Sequence, residues 1–134
     1  MNKKIKHLEM IQSVINRLAN NSFTLKSWTI TLVVATITFI SKSEDKKYMM
    51  IVYFPIILFM ILSTYYLFLE KLFRKLYENV IVKDEDEIDF KMNIMDLPGK
   101  PKLFLKSFFS ITQMLFYFSS LLAVSLFLKY VGAL

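Results

Sequence analysis

The 134-residue chain contains no cysteine, one histidine, one tryptophan, two glycines and three prolines. Without cysteine it can form no disulfide, no thiolate metal site and no thiol nucleophile. The lone imidazole, His7, leaves acid–base or metal chemistry almost nothing to work with, and its position predicts a frayed helix end. No phosphate-cradling Walker loop, no zincin motif and no serine in a nucleophile-elbow context is present. The acidic run 84–89 lacks the glycine and the spacing of a calcium loop, so it reads as a solvated helix end. No enzyme, cofactor or metal site is expected.

Charge is missing where it would matter most for a soluble protein. Residues 48–69 and 107–128 are two 22-residue runs without a charged side chain. As helices they would each measure about 33 Å, enough to cross a hydrocarbon core of about 30 Å. With 55% hydrophobic residues and a mean hydropathy of +0.46, the chain reads as an integral membrane protein of one domain. A third run, 23–41, is diluted by Thr29, Thr31, Thr36 and Thr38, and reaches spanning length if the Lys26 ammonium snorkels to the interface. No cleavable signal peptide is expected, because polar-patterned residues separate the early lysines from the first apolar run.

The spans also lack acidic or basic groups at depth, which proton relays, ion-coupled transporters and voltage sensors require. Orientation follows from the cations outside them. Thirteen of the seventeen Lys and Arg residues fall in 1–26 and 70–106, and four in 42–47 and the tail 129–134. The positive-inside rule therefore places the N-terminus and the 70–106 segment in the cytoplasm, with the hairpin 42–47 and the C-terminus outside. A sequence pI near 9.5 then matches anionic headgroups, and no nucleic-acid partner is expected.

Two cytoplasmic pieces are predicted. Residues 5–19 carry Leu8, Ile11, Val14, Ile15 and Leu18 at helical spacing, an amphipathic helix within the cytoplasmic segment 1–22. Asn20-Asn21-Ser22 either breaks that helix, with Ser22 capping the first span, or lies within one continuous rod. Beyond residue 69 the stripe Leu72, Phe73, Leu76, Tyr77 and Val80 predicts that the second helix runs several turns further before the acidic run ends it. Residues 88–95 are ambiguous between strand and coil, and Pro98-Gly99-Lys100-Pro101 predicts a turn into the last span. Pro55 predicts a kink in the second span.

Uncharged polarity is the most informative feature of the spans. If 17–42 is one helix, Arg17, Asn20, Thr24, Ser27, Thr31, Ala35, Thr38 and Lys42 fall in one narrow arc. In the last span Lys106, Ser110, Gln113, Tyr117 and Ser120 align in the same way. Such rows serve either as helix–helix contacts between small hydroxylated residues or as the wall of a pore shared by several copies. Thr24, Ser27, Thr31, Thr38, Ser110, Gln113, Tyr117 and Ser120 are therefore the candidates for pore lining or oligomer contact. Arg17, Lys71, Arg74 and Lys75 are the candidates for binding phosphate, whether of a ligand or of lipid.

Several positions resemble a group of small bacterial membrane proteins. They are Ile11, Ile15, Arg17, Ala19, Asn21-Ser22-Phe23, Lys26, Trp28 and Thr31 around the approach to the first span. The likeness continues through Tyr66, Glu70 and Lys71-Leu72-Phe73-Arg74-Lys75-Leu76-Tyr77 to Asp89-Phe90-Lys91-Met92-Asn93. Lys91 and Ser27 depart from the pattern, which has a small polar residue and a glycine there. The group resembles the membrane effectors of nucleotide-signalling antiphage defence, in which a partner enzyme makes a nucleotide messenger and a small multi-pass protein disrupts the inner membrane. The resemblance implies an effector in the bacterial inner membrane, while the two aligned polar rows and a cytoplasmic part too small to work alone imply a homo-oligomer.

The combined expectation is an all-α membrane protein with three transmembrane helices, an N-terminal cytoplasmic amphipathic helix and a cytoplasmic extension of the second span. Its expected role is a pore or membrane-disrupting effector. The alternatives are a non-conducting anchor that recruits a cytoplasmic partner through 5–19 and 72–80, and a phage holin.

Overall fold

The computed structural model describes residues 2–134, and every regular element among them is helical. Helix α1 runs unbroken from Asn2–Ile40, 39 residues or about 58 Å. It contains no glycine or proline, and Asn20-Asn21-Ser22 does not interrupt it. Ser22 is buried and its hydroxyl shares a hydrogen bond with Ser63, 3.0 Å away, so it holds two helices together and caps neither.

After a turn, Asp45 caps a 3-10 stretch, Lys46–Val52, by accepting from the Lys47 backbone N–H at 3.0 Å. Helix α2 follows at Tyr53–Ile81. Pro55, where a kink is expected, is the third residue of α2, just after the change from 3-10 to α-helix, and its missing N–H would have had no partner within the α-helix. The acidic run forms a short 3-10 turn, Glu85–Glu87, and residues 88–98 are irregular.

The approach to the last span differs from the expected turn. Gly99 takes a left-handed φ of 78°, Pro101 occupies the first turn of helix α3, Lys100–Phe108, and the helix stops at Phe109. Ser110 is extended with ψ 150°, and helix α4 begins at Ile111 and ends at Tyr130. Residues 107–110 thus form an elbow between two helices, and the first turn expected of the last span belongs to that elbow.

Three helical stretches, α1, Lys46–Ile81 and α4, are long and apolar enough to cross a membrane. Their side chains build two separate cores. At the far end Met49, Val52, Ile56, Tyr117, Val124 and Leu128 cluster, with Val33, Ile37 and Ile40 of α1 against them. The Lys46 ammonium donates to the Val131 carbonyl and ties the hairpin to the C-terminal turn. At the N-terminal end Ile11 and Ile15 pack on Leu76 and Val80, and the irregular segment covers them with Ile88, Met92, Ile94 and Leu97. The two apolar stripes read from the sequence as free faces therefore cover each other.

Candidate functional site

The polar groups at the middle of the bundle form a connected chain of donors. Ser22 Oγ–H reaches Ser63 Oγ at 3.0 Å, and Ser63 in turn donates to Gln113 Oε1 at 3.2 Å. Gln113 Nε2 donates to the Met60 carbonyl at 3.0 Å and to Thr64 Oγ1 at 2.9 Å, while Thr64 donates to Met60 as well. This pattern fixes the amide's orientation, since only Nε2 carries hydrogens to give. Tyr117 O–H donates to the Phe59 carbonyl at 3.1 Å, and Tyr53 pairs with Ser125 at 2.7 Å. Gln113 and Tyr117, expected to face a pore or a second copy, are 1% and 0% exposed and find their partners within one chain. Their neighbours in that row diverge. Ser120 donates to the Phe116 carbonyl at 2.8 Å, and the buried Ser110 hydroxyl in the elbow has no hydrogen-bond partner among the described residues.

The row on α1 has the opposite fate. Thr24, Ser27, Thr31 and Thr38 are all exposed, and Ala35 among them is exposed too. Each hydroxyl donates to the carbonyl four residues earlier in the same helix: Thr24 to Asn20, Ser27 to Phe23, Thr31 to Ser27 and Thr38 to Val34, at 2.9, 3.4, 3.1 and 2.8 Å. Back-bonded hydroxyls can face an apolar surrounding without an unpaired donor. Only 6% of the apolar stretch of α1 is buried within the chain, against 28% for Lys46–Ile81 and 22% for α4. The least-covered helix therefore carries the small polar face outward. Beside that face, Ala35, Thr36, Phe39, Ile40, Ser43, Tyr48 and Ile51 line a groove of about 640 Å³.

Of the four candidate phosphate-binding cations, Lys71, Arg74 and Lys75 are neighbours on α2 and Arg17 stands apart on α1. Ile15 points at α2, and Arg17, two residues and about 200° further round α1, is exposed on the other side. Arg74 is held by Glu70 one turn back, with Nη2 and Nε at 2.9 and 3.2 Å from Oε1. Lys71 and Lys75 are half-buried, and Lys75 Nζ lies 3.8 Å from the place a Cβ would take on Gly99.

His7 is the largest departure from expectation. It is 1% exposed, because the 88–97 segment folds over it and tilts the Phe90 ring against it at 5.7 Å between centroids. Nε2 lies 3.0 Å from the Lys91 carbonyl, which can only accept, so Nε2 carries the hydrogen and Nδ1 is left buried without a partner among the described residues. Phe90, at φ 56°, is the one described non-glycine residue with a positive φ. The acidic run is not merely solvated either: Glu85 accepts the Lys3 backbone N–H at 2.8 Å and so sits at the positive end of α1. Sequence reading missed Ser63 and Thr64 as the partners of Gln113, and Ser22 as the partner of Ser63. The signal was present in Ser63-Thr64, two adjacent hydroxyls inside an otherwise apolar run.

No family model, curated protein or solved structure matches this chain.

Proposed function

We propose that the protein is a homo-oligomeric inner-membrane effector that permeabilises the bilayer, with the outward face of α1 as the contact between copies. The cytoplasmic end, built from the start of α1, the end of α2 and the 84–97 segment, answers a nucleotide signal of the kind the resemblance implies. The observation that carries this reading is the aligned face of Thr24, Ser27, Thr31, Ala35 and Thr38, exposed on the least-covered helix. Small residues let backbones approach closely in lipid, where packing and modest hydrogen bonds drive association. Arg17 lies on the same arc and meets phosphate chemistry only where copies stand side by side.

The test is expression with a membrane-potential dye, together with the particle mass in detergent. Wild type is expected to depolarise cells and to run as several copies. Thr31→Leu with Thr38→Leu should reduce both, while Ile30→Leu, exposed but off the arc, should change neither. A single-copy particle, or undiminished depolarisation by the double variant, sinks the reading.

A non-conducting membrane subunit is the second reading. It is favoured by one observation: Gln113 and Tyr117 are used up inside the chain, which leaves a single polar row for any water path. Assembly without depolarisation selects it.

A further inference from the structure

Three lysines stand at the same end of three apolar runs. Lys26 lies near the start of the first, Lys71 lies two residues past 48–69, and Lys106 lies just before 107–128. The fold brings the last two together. Phe104 of α3 meets Phe68 of α2 edge to face at 5.5 Å, which docks α3 across the emerging end of α2. Lys71, half-buried there, feels the positive charge of Lys106. Glu70 acts on Lys26 and Lys71, yet is hydrogen-bonded to Arg74. Four cations around that carboxylate leave a surplus of positive charge beside a partly desolvated ammonium. An anion from outside the chain relieves the repulsion in such a cluster.

The surroundings identify the anion. On the exposed side of α3, Leu105 and Phe109 are 58% and 63% exposed, next to Lys102 and Lys106. A soluble phosphate compound would leave both apolar side chains in water. A phospholipid supplies a phosphate for the ammonium groups and acyl chains for the leucine and phenylalanine, with the lysine stems lying along the boundary.

We infer that the crossing of α2 and α3 at Phe68 and Phe104 is a binding site for an anionic phospholipid, its headgroup phosphate held by Lys71 and Lys106 and its chains against Leu105 and Phe109. Both lysines belong to helices that touch within one chain, so the site stands whether or not the protein forms a pore.

The full chain is reconstituted in nanodiscs of phosphatidylcholine alone or with phosphatidylglycerol at one part in five, and lipid retention after mild delipidation is read by native mass spectrometry. Wild type should retain phosphatidylglycerol over phosphatidylcholine. Each lysine near an anionic surface contributes about fivefold, so Lys71→Gln with Lys106→Gln should weaken retention by about twentyfold to thirtyfold. Lys71→Arg with Lys106→Arg should keep it, and Arg74→Gln should change it less than about twofold, since that guanidinium is already taken. Lys106→Gln alone, at about fivefold, gives the same reading if the double variant does not fold. Equal retention of the two lipids, or a Lys71→Gln/Lys106→Gln or Lys106→Gln variant that binds like wild type, overturns the site. Retention of inorganic pyrophosphate at millimolar concentration in the phosphatidylcholine discs, with no preference for phosphatidylglycerol in the mixed discs, overturns the lipid and assigns the cluster to a free phosphate.

Discussion

Gln113 is the side chain on which the middle of the bundle turns. Its amide gives two hydrogen bonds and receives one, and all three partners lie on α2. In lipid, hydrogen bonds between helices contribute about 0.6 kcal/mol each, so Gln113→Leu should cost about 2 kcal/mol. Tyr117→Phe, which loses one bond to Phe59, should cost about 0.6 kcal/mol. Unfolding in mixed micelles would order the two variants, and a Gln113→Leu protein as stable as wild type would show that the amide is dispensable. The Thr31 and Thr38 hydroxyls, satisfied by their own helix, should by contrast leave the stability of a single copy unchanged when replaced.

The helices themselves were largely legible. Two charge-free runs of spanning length, an apolar stripe at 3.6-residue spacing over 5–19 and another over 72–80 predict α1, α2 and α4. Helical arithmetic also found both polar rows, but an angle on one helix does not say which neighbour it meets. Gln113 turns inward because Ser63, fifty residues away, is there to receive it, and no local pattern encodes that partner. Helix α3 was hidden by Pro98, just before it, and Pro101, in its first turn, which together read as a turn. Pro101 in a first turn removes no hydrogen bond, so proline and helix coexist there. His7 was misplaced because the residues that bury it come more than eighty positions later. The continuity of α1 has its own test. Asn20 is exposed, so Asn20→Pro removes no side-chain packing, yet proline within a helix costs about 3 kcal/mol or more and kinks it. Spin labels near residues 6 and 34 should report a shortened, broadened separation in that variant, and an unchanged distance would mean that the rod tolerates the break.

The molecule as a whole is two cores strung along α1 and α2, with Ile37 and Ile56 serving one and Ile15, Leu76 and Val80 the other. Cores that share two helices but no side chains should open separately. His7→Ala should speed hydrogen exchange across 84–97 by roughly tenfold, from loss of a hydrogen bond worth about 1 kcal/mol and some packing, while amides around Ser63 and Gln113 stay protected. Uniform acceleration through both ends would mean a single cooperative unit. Acid should act at the same end. The Lys91 backbone N–H bound to Asp89 at 3.1 Å, aided by the Lys83 and Lys91 charges, holds that carboxyl below its usual value of 3.8. A depressed carboxylate stabilises the fold above the unfolded value and loses that contribution as pH falls through the folded one. Protection of 84–97 should thus be full at neutral pH and fall away below pH 3.8, with a shallower fall in Asp89→Asn.

Helix α1 is pinned to its neighbours near its midpoint by the Ser22–Ser63 bond, with roughly equal lengths of rigid helix on either side. A stiff beam on a central fulcrum is a see-saw. A push that parts the N-terminal arm from Leu76 and Val80 swings the opposite arm the other way against Val52 and Ile56, so displacement at one end of the rod reaches the other without a hinge or a loop between them.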